Sequence, residues 1–125
     1  MSANPYIPHN YEPNCVAYTG THDNNTVRGW FEKNAGAEEK ARLFRYLGRQ
    51  LNVERIPWEL IRLLMMSVAR LVIFPMQDIL GLGEEARMNL PATQQGNWQW
   101  RLLPNSVTQS LIDQLAEMTR TYGRD

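Results

Sequence analysis

Pro57-Trp58-Glu59-Leu60-Ile61-Arg62-Leu63-Leu64-Met65-Met66-Ser67-Val68-Ala69-Arg70 runs directly into Leu71-Val72-Ile73-Phe74-Pro75, and this stretch decides the fold class. Ile61, Leu64, Met65, Val68 and Val72 recur at the spacing of one helix face. Pro57 suits a first helical position, and Glu59 complements the positive end of the helix. The spacing predicts a helix over 57–70. The run 71–74 is β-branched and aromatic, stops at Pro75, and reads as a short buried strand. A helix feeding an apolar strand is the second half of a βαβ unit, so the class is α/β.

Upstream, Cys15-Val16-Ala17-Tyr18 reads as a second short buried strand, halted by Thr19-Gly20. The polar cluster Thr21-His22-Asp23-Asn24-Asn25-Thr26 follows, then a helical turn over 27–31. Residues 38–51 form a helix with Leu43, Phe44, Leu47 and Leu51 on one stripe. Pro5, Pro8 and Pro13 make the first fourteen residues loop-like. Downstream, residues 77–105 hold Gly81, Gly83, Pro91, Gly96 and Pro104, an irregular stretch of a length that usually carries function. The last helix opens with a capping box, Ser106 with Gln109. It carries the stripe Val107, Leu111, Leu115, Met118 and Tyr122, and Gly123 caps its end. The Met65-Met66 pair belongs to the core.

With 125 residues the chain is a single domain at most. A closed (β/α)8 barrel needs roughly 200 residues or more, so barrel motifs here would mark a piece of one. Thirteen basic residues balance thirteen acidic ones. Nucleic-acid and polybasic membrane roles rest on excess Lys and Arg, and are not expected. No apolar run reaches the ~18 residues of a membrane span, and the N-terminus shows no signal peptide. The single Cys15 excludes an intrachain disulfide and fits a reducing compartment: the cytoplasm, or a plastid if the source is a plant.

The polar cluster sits at the C-terminal end of a strand, where parallel α/β folds place their working groups. Asp23 offers carboxylate acceptors to neighbouring hydroxyls, and His22 can donate to another, a pattern that suits a sugar. The competing reading makes Asp23 and Asn24 turn or cap residues for the helix at Val27. Two ligands with no third nearby fall short of a metal site. The second strand ends in the same way, at Gln77-Asp78. Gly81-Leu82-Gly83 invites a dinucleotide reading that fails, for want of a third glycine and because Glu84 and Glu85 would repel a phosphate. Trp98 and Trp100, if extended, face the same way. They either stack on sugar faces or pack the end of the domain.

Three blocks resemble the 4-α-glucanotransferase (amylomaltase) family. They are Tyr18-Thr19-Gly20-Thr21-His22-Asp23-Asn24-Asn25-Thr26 with Gly29-Trp30-Phe31; Pro75 through Asn89; and Gly96-Asn97-Trp98-Gln99-Trp100-Arg101. They stand in family order and spacing across nearly the whole chain. The resemblance implies an enzyme of the α-amylase type that passes α-1,4-glucan pieces to a sugar 4-hydroxyl by a retaining route. It implies that residues 1–125 are one partial domain, the C-terminal segment of a (β/α)8 barrel holding about its last two β/α units. Asp23 is then the carboxylate that stabilises the transition state, with His22 beside it. Gln77, Asp78, Arg87, Asn89 and Trp98 bind substrate, a malto-oligosaccharide. No cofactor is implied. Retaining chemistry needs a nucleophile and an acid/base carboxyl ~5 Å apart. Neither has a counterpart in these residues, so the chain alone should be inactive. Two departures from the family pattern are Asn25, where an acidic residue is expected, and Ala92, where many members carry Gly. The rival readings are a non-catalytic glucan-binding module and a structural fragment that forms homo-oligomers through exposed barrel edges.

Overall fold

The computed structural model describes residues 4–125; residues 1–3, where the signal-peptide reading begins, lie outside the described residues. Val16–Tyr18 forms β1 and Leu71–Ile73 forms β2. They pair in parallel, Val16 with Leu71, Ala17 with Val72 and Tyr18 with Ile73. Parallel pairing needs a long crossover. It is supplied by α1 (Val27–Gly29), which continues as a π turn over Trp30–Asn34, by α2 (Ala37–Leu47) and by α3 (Ile56–Met65). After β2 come the short α4 (Met76–Ile79), a 3-10 turn at Glu84–Ala86 and, past a long irregular stretch, α5 (Gln109–Thr121).

Most of the residues on the helix stripes pack as their periodicity predicts. Leu43 and Phe44 of α2, with Leu51 beyond its end, pack on Val27, Phe31 and Ile56. Ile61 and Met65 of α3 meet Ile79 of α4, Leu111, Leu115 and Met118 of α5, and Tyr122 just past its end. Leu64 and Ala69 close over Ala17 of β1.

Several boundaries differ from the sequence reading. The second helix stops at Leu47 rather than 51, because Gly48 turns into the left-handed region (φ +81) and gives its N–H to the carbonyls of Phe44 and Arg45. The third stops at Met65 rather than near Arg70. There the Ser67 hydroxyl turns back onto the Leu64 carbonyl at 2.7 Å. The Arg124 guanidinium takes up the carbonyls of Leu64, Met65, Ser67 and Ala69. Met66, expected in the core beside Met65, and Val68, expected on the stripe, are therefore exposed. The last helix is capped by Thr108, whose hydroxyl accepts from the Leu111 N–H, and not by Ser106; Val107 lies before the helix. Gly123 does terminate it, at φ +67.

The buried-strand expectation holds for one face only. Ala17 is 5% exposed beneath α3, whereas Val16, Tyr18, Leu71 and Ile73 are each 51–52% exposed. Pleating sends alternate side chains to opposite faces, and α3 covers one of them. Both outer edges of the two-stranded sheet are unpaired among the described residues.

Candidate functional site

The loop 19–26 leaves the C-terminal end of β1, and the segment 75–89 leaves that of β2. Parallel pairing therefore sets the two side by side. Asn24 shapes the first loop: its side-chain oxygen accepts from the Thr21 N–H at 2.8 Å and from the Thr21 hydroxyl at 3.0 Å. Asn24 thus reaches back three residues, and the Thr21 hydroxyl in turn accepts from the Asp23 N–H at 3.2 Å, an ST-type turn. The cap of α1 is Thr26, whose hydroxyl accepts from the Gly29 N–H at 3.0 Å. So the competing reading is right that Asp23 and Asn24 are turn residues, in a turn closed by the Asn24 N–H on the Thr21 carbonyl at 3.1 Å, but neither caps α1, and the Asp23 side chain is left for other partners.

Asp23 is instead held from the far segment. The Asn89 amide donates to Asp23 Oδ1 at 2.8 Å. The Arg87 guanidinium donates to the Asp23 backbone carbonyl at 2.7 Å and to the Asn89 carbonyl at 2.9 Å, tying the two together. Gln77 steadies this segment by donating to the Ala86 carbonyl at 3.2 Å. His22 Nε2 lies 3.4 Å from Asp23 Oδ1, and both side chains are about half exposed (55% and 52%). The imidazole ring also meets the Trp98 indole, centroid to centroid 4.9 Å, tilted by 40°.

Trp98 reaches this place because its backbone is not extended. It adopts φ +61, its N–H bonds the Met88 carbonyl at 2.7 Å, and Arg101 grips the carbonyls of Trp98 and Trp100. The pair of indoles facing one way is thereby overturned: Trp98 alone stacks on His22. Asn97 prepares the approach, accepting from the Leu90 N–H and donating to Thr93. The sequence reading missed Asn97 and Thr19. No spacing rule points to either: the partner of Thr19 lies 59 residues on, and those of Asn97, four and seven residues back, sit in an irregular loop without periodicity.

Two clefts meet at Arg87. One, of about 180 Å³, is bordered by His22, Gln77, Arg87 and Trp98; the other, of about 570 Å³, by Asp23, Trp30 and Asn34. Every site residue read from the sequence lies in or beside them. Asp78 differs in kind. It is 2% exposed at the floor, and it accepts from the Thr19 hydroxyl (2.6 Å) and the Val27 N–H (2.9 Å). Burial pushes its carboxyl above the ordinary range, against the pull of those two hydrogen bonds. Among the described residues there is no cluster of three His, Cys, Asp or Glu able to hold a metal ion. No helix among them is long and apolar enough to cross a membrane.

Residues 1–107 match the model of the 4-alpha-glucanotransferase family. The chain belongs to that family. It is 51% identical over 123 residues to a 4-alpha-glucanotransferase of Clostridium butyricum, covering 98% of this chain and 25% of that protein. It is 49% identical over 125 residues to a chloroplastic/amyloplastic 4-alpha-glucanotransferase of Solanum tuberosum, covering 97% of this chain and 21% of that one. Among solved structures it resembles the amylomaltase from Streptococcus agalactiae in complex with acarbose, with a TM-score of 0.86 and 43% identity over 94% of this chain and 23% of that one. The chain thus spans about a quarter of the length of these family relatives.

Proposed function

We propose that residues 1–125 form the C-terminal part of a 4-alpha-glucanotransferase, contributing about the last two β/α units of a (β/α)8 barrel. The substrate is an α-1,4-glucan, and the reaction passes a glucan piece to a sugar 4-hydroxyl with retention. The observation that carries this reading is Asp23 itself. Its Oδ1 is fixed by Asn89, whereas its Oδ2 has no hydrogen-bond partner among the described residues, on a half-exposed carboxylate at a cleft. Such an oxygen is preorganised for a hydroxyl of the ring at the cleavage site, and its charge favours the ring as it turns cationic. His22 and Trp98 supply an imidazole donor and an aromatic face beside it. Asn89 holds the carboxylate and Arg87 the backbone carbonyl of the same residue, and Gln77 borders the adjoining cleft with His22 and Trp98.

The nucleophile and acid/base carboxyls of a retaining mechanism lie, in this reading, in the other three quarters of the enzyme. The open apolar face of Val16, Tyr18, Leu71 and Ile73 supports it: further strands would cover that face and satisfy the sheet edges. The isolated chain should then neither disproportionate nor hydrolyse maltotriose.

The test is maltotriose disproportionation by the full-length enzyme. Asp23→Asn keeps the shape and removes the charge, so kcat should fall on the order of 10²–10³-fold, as for loss of one preorganised transition-state contact. His22→Ala should cost less, because a neutral hydrogen bond contributes only ~0.5–1.5 kcal/mol. Near-normal kcat in Asp23→Asn, with an unchanged melt, would refute the assignment.

A further inference from the structure

The loop that carries His22 and Asp23 has two ends, Thr19 at the exit of β1 and Val27 at the start of α1. Both are fastened to one side chain. The Thr19 hydroxyl donates to Asp78 Oδ2 at 2.6 Å, and the Val27 N–H donates to Asp78 Oδ1 at 2.9 Å. Asp78 comes from α4, just past β2, so it ties the loop of one strand to the segment that follows the other. Arg87 and Asn89 hold the tip of the same loop. Asp78 is the anchor at its base.

We propose that Asp78 is a positioning residue for Asp23, acting through Thr19 and Val27 and needed for its shape rather than its charge. The proposal rests on the reading of Asp23 given above. Three observations separate it from substrate binding. Asp78 is 2% exposed, so little of it meets the cleft. Both its oxygens are engaged by the loop. No Lys, Arg or His lies within ion-pair distance of it among the described residues, so a buried charge there goes uncompensated.

An asparagine meets the same geometric demand. Its carbonyl oxygen can accept from the Val27 N–H, and its amide can donate to the Thr19 hydroxyl, which accepts as readily as it donates. An alanine meets neither. It leaves the N–H of Val27, a residue 4% exposed, without a partner and frees Thr19.

The experiment compares Asp78→Ala, Asp78→Asn, Thr19→Val and Asp23→Asn in the full-length enzyme. It measures kcat and KM for maltotriose and amide hydrogen exchange at Val27. In Asp78→Ala, kcat should fall on the order of 10–100-fold, the scale of a catalytic group displaced by about 1 Å. KM should change little, and the Val27 amide should exchange faster. Asp78→Asn should recover most of the lost kcat and restore slow exchange. Thr19→Val deletes the bond to Oδ2 alone and should show the same pattern more weakly, which decides the matter where Asp78→Ala does not fold. If Asp78→Asn is as damaging to kcat as the alanine variant, the charge acts on substrate and the proposal is wrong. Unchanged exchange at Val27 in a folded Asp78→Ala variant, or an unchanged kcat in Thr19→Val, would also overturn it. If Asp23→Asn keeps its kcat, the functional reading fails, and the exchange data alone then judge whether Asp78 holds the loop.

Discussion

Arg124 offers the most direct test of how the chain's end fixes its middle. Gly123, in the left-handed region, reverses the chain after α5 and sends Arg124 back to the C-terminus of α3. There Nε donates to the Met65 carbonyl at 2.7 Å. One terminal nitrogen lies 2.9 Å from the Ser67 and Ala69 carbonyls and 3.3 Å from that of Leu64. That nitrogen carries two N–H groups and Nε carries one, so at most three of these four contacts are satisfied at once. The carbonyls of Leu64 and Met65 belong to the negative end of α3, where a cation is favoured. Hydrogen bonds from a charged donor contribute about 1.5–3 kcal/mol each. Arg124 is only partly buried, so water replaces some of that on truncation. Arg124→Ala should therefore cost about 2–4 kcal/mol. Arg124→Lys keeps the charge without the planar fork and should recover less than half. Equilibrium urea unfolding, followed by circular dichroism with the slope checked for constancy, measures both. A loss below about 1 kcal/mol for the alanine variant would refute the idea that this side chain terminates α3, since even one charged hydrogen bond would exceed it.

Ala92 sits at φ +66, held there by a loop in which Thr93 bonds the Leu90 carbonyl and Asn97 clasps Leu90 and Thr93. The left-handed region costs an L residue ~1–2 kcal/mol, against ~0.4–1 kcal/mol of extra unfolded-state entropy for glycine. Ala92→Gly should raise stability by about 0.5–1 kcal/mol; a lower melting temperature would contradict this. Glu59 is held below the usual carboxylate range by its hydrogen bond from Arg62 (2.8 Å), helped by Arg49 (3.5 Å) and opposed by burial. A carboxyl lowered on folding contributes stability above its ordinary value of 4.5, and that stability is lost as pH falls through the lower folded value. The stability gap between wild type and Glu59→Gln should therefore narrow as melts are taken from neutral pH toward about pH 3, and a constant gap would exclude the linkage. The raised Asp78 carboxyl works in the opposite sense, favouring the fold as pH falls, but it is common to both proteins and cancels in their difference.

The amino-acid order settled whatever depends on neighbours along one element. Within the helices as they form, the stripes of α3 and α5 place Ile61, Leu64, Met65, Leu111, Leu115 and Met118 correctly, because a helix repeats its face every few residues whatever it packs against; Val68 and Val107 fall outside the helices and the rule does not reach them. The strand-end position of His22-Asp23 and of Gln77-Asp78 was legible for a similar reason: an apolar run that stops at polar residues marks where a strand ends. The three sequence blocks identified the family, and the wider comparisons agree. Contacts between distant parts of the chain were not legible. Asp23 and Asn89 stand 66 residues apart in sequence, and Arg124 and Met65 stand 59 apart. Local periodicity carries no information about such pairs. The end of α3 waited on Arg124, the face of Trp98 on a positive φ, and the anchoring of Asp78 on the pairing of β1 with β2. Strand burial was misread because an apolar run records that a strand needs covering, whereas only the packed structure shows which of its faces is covered.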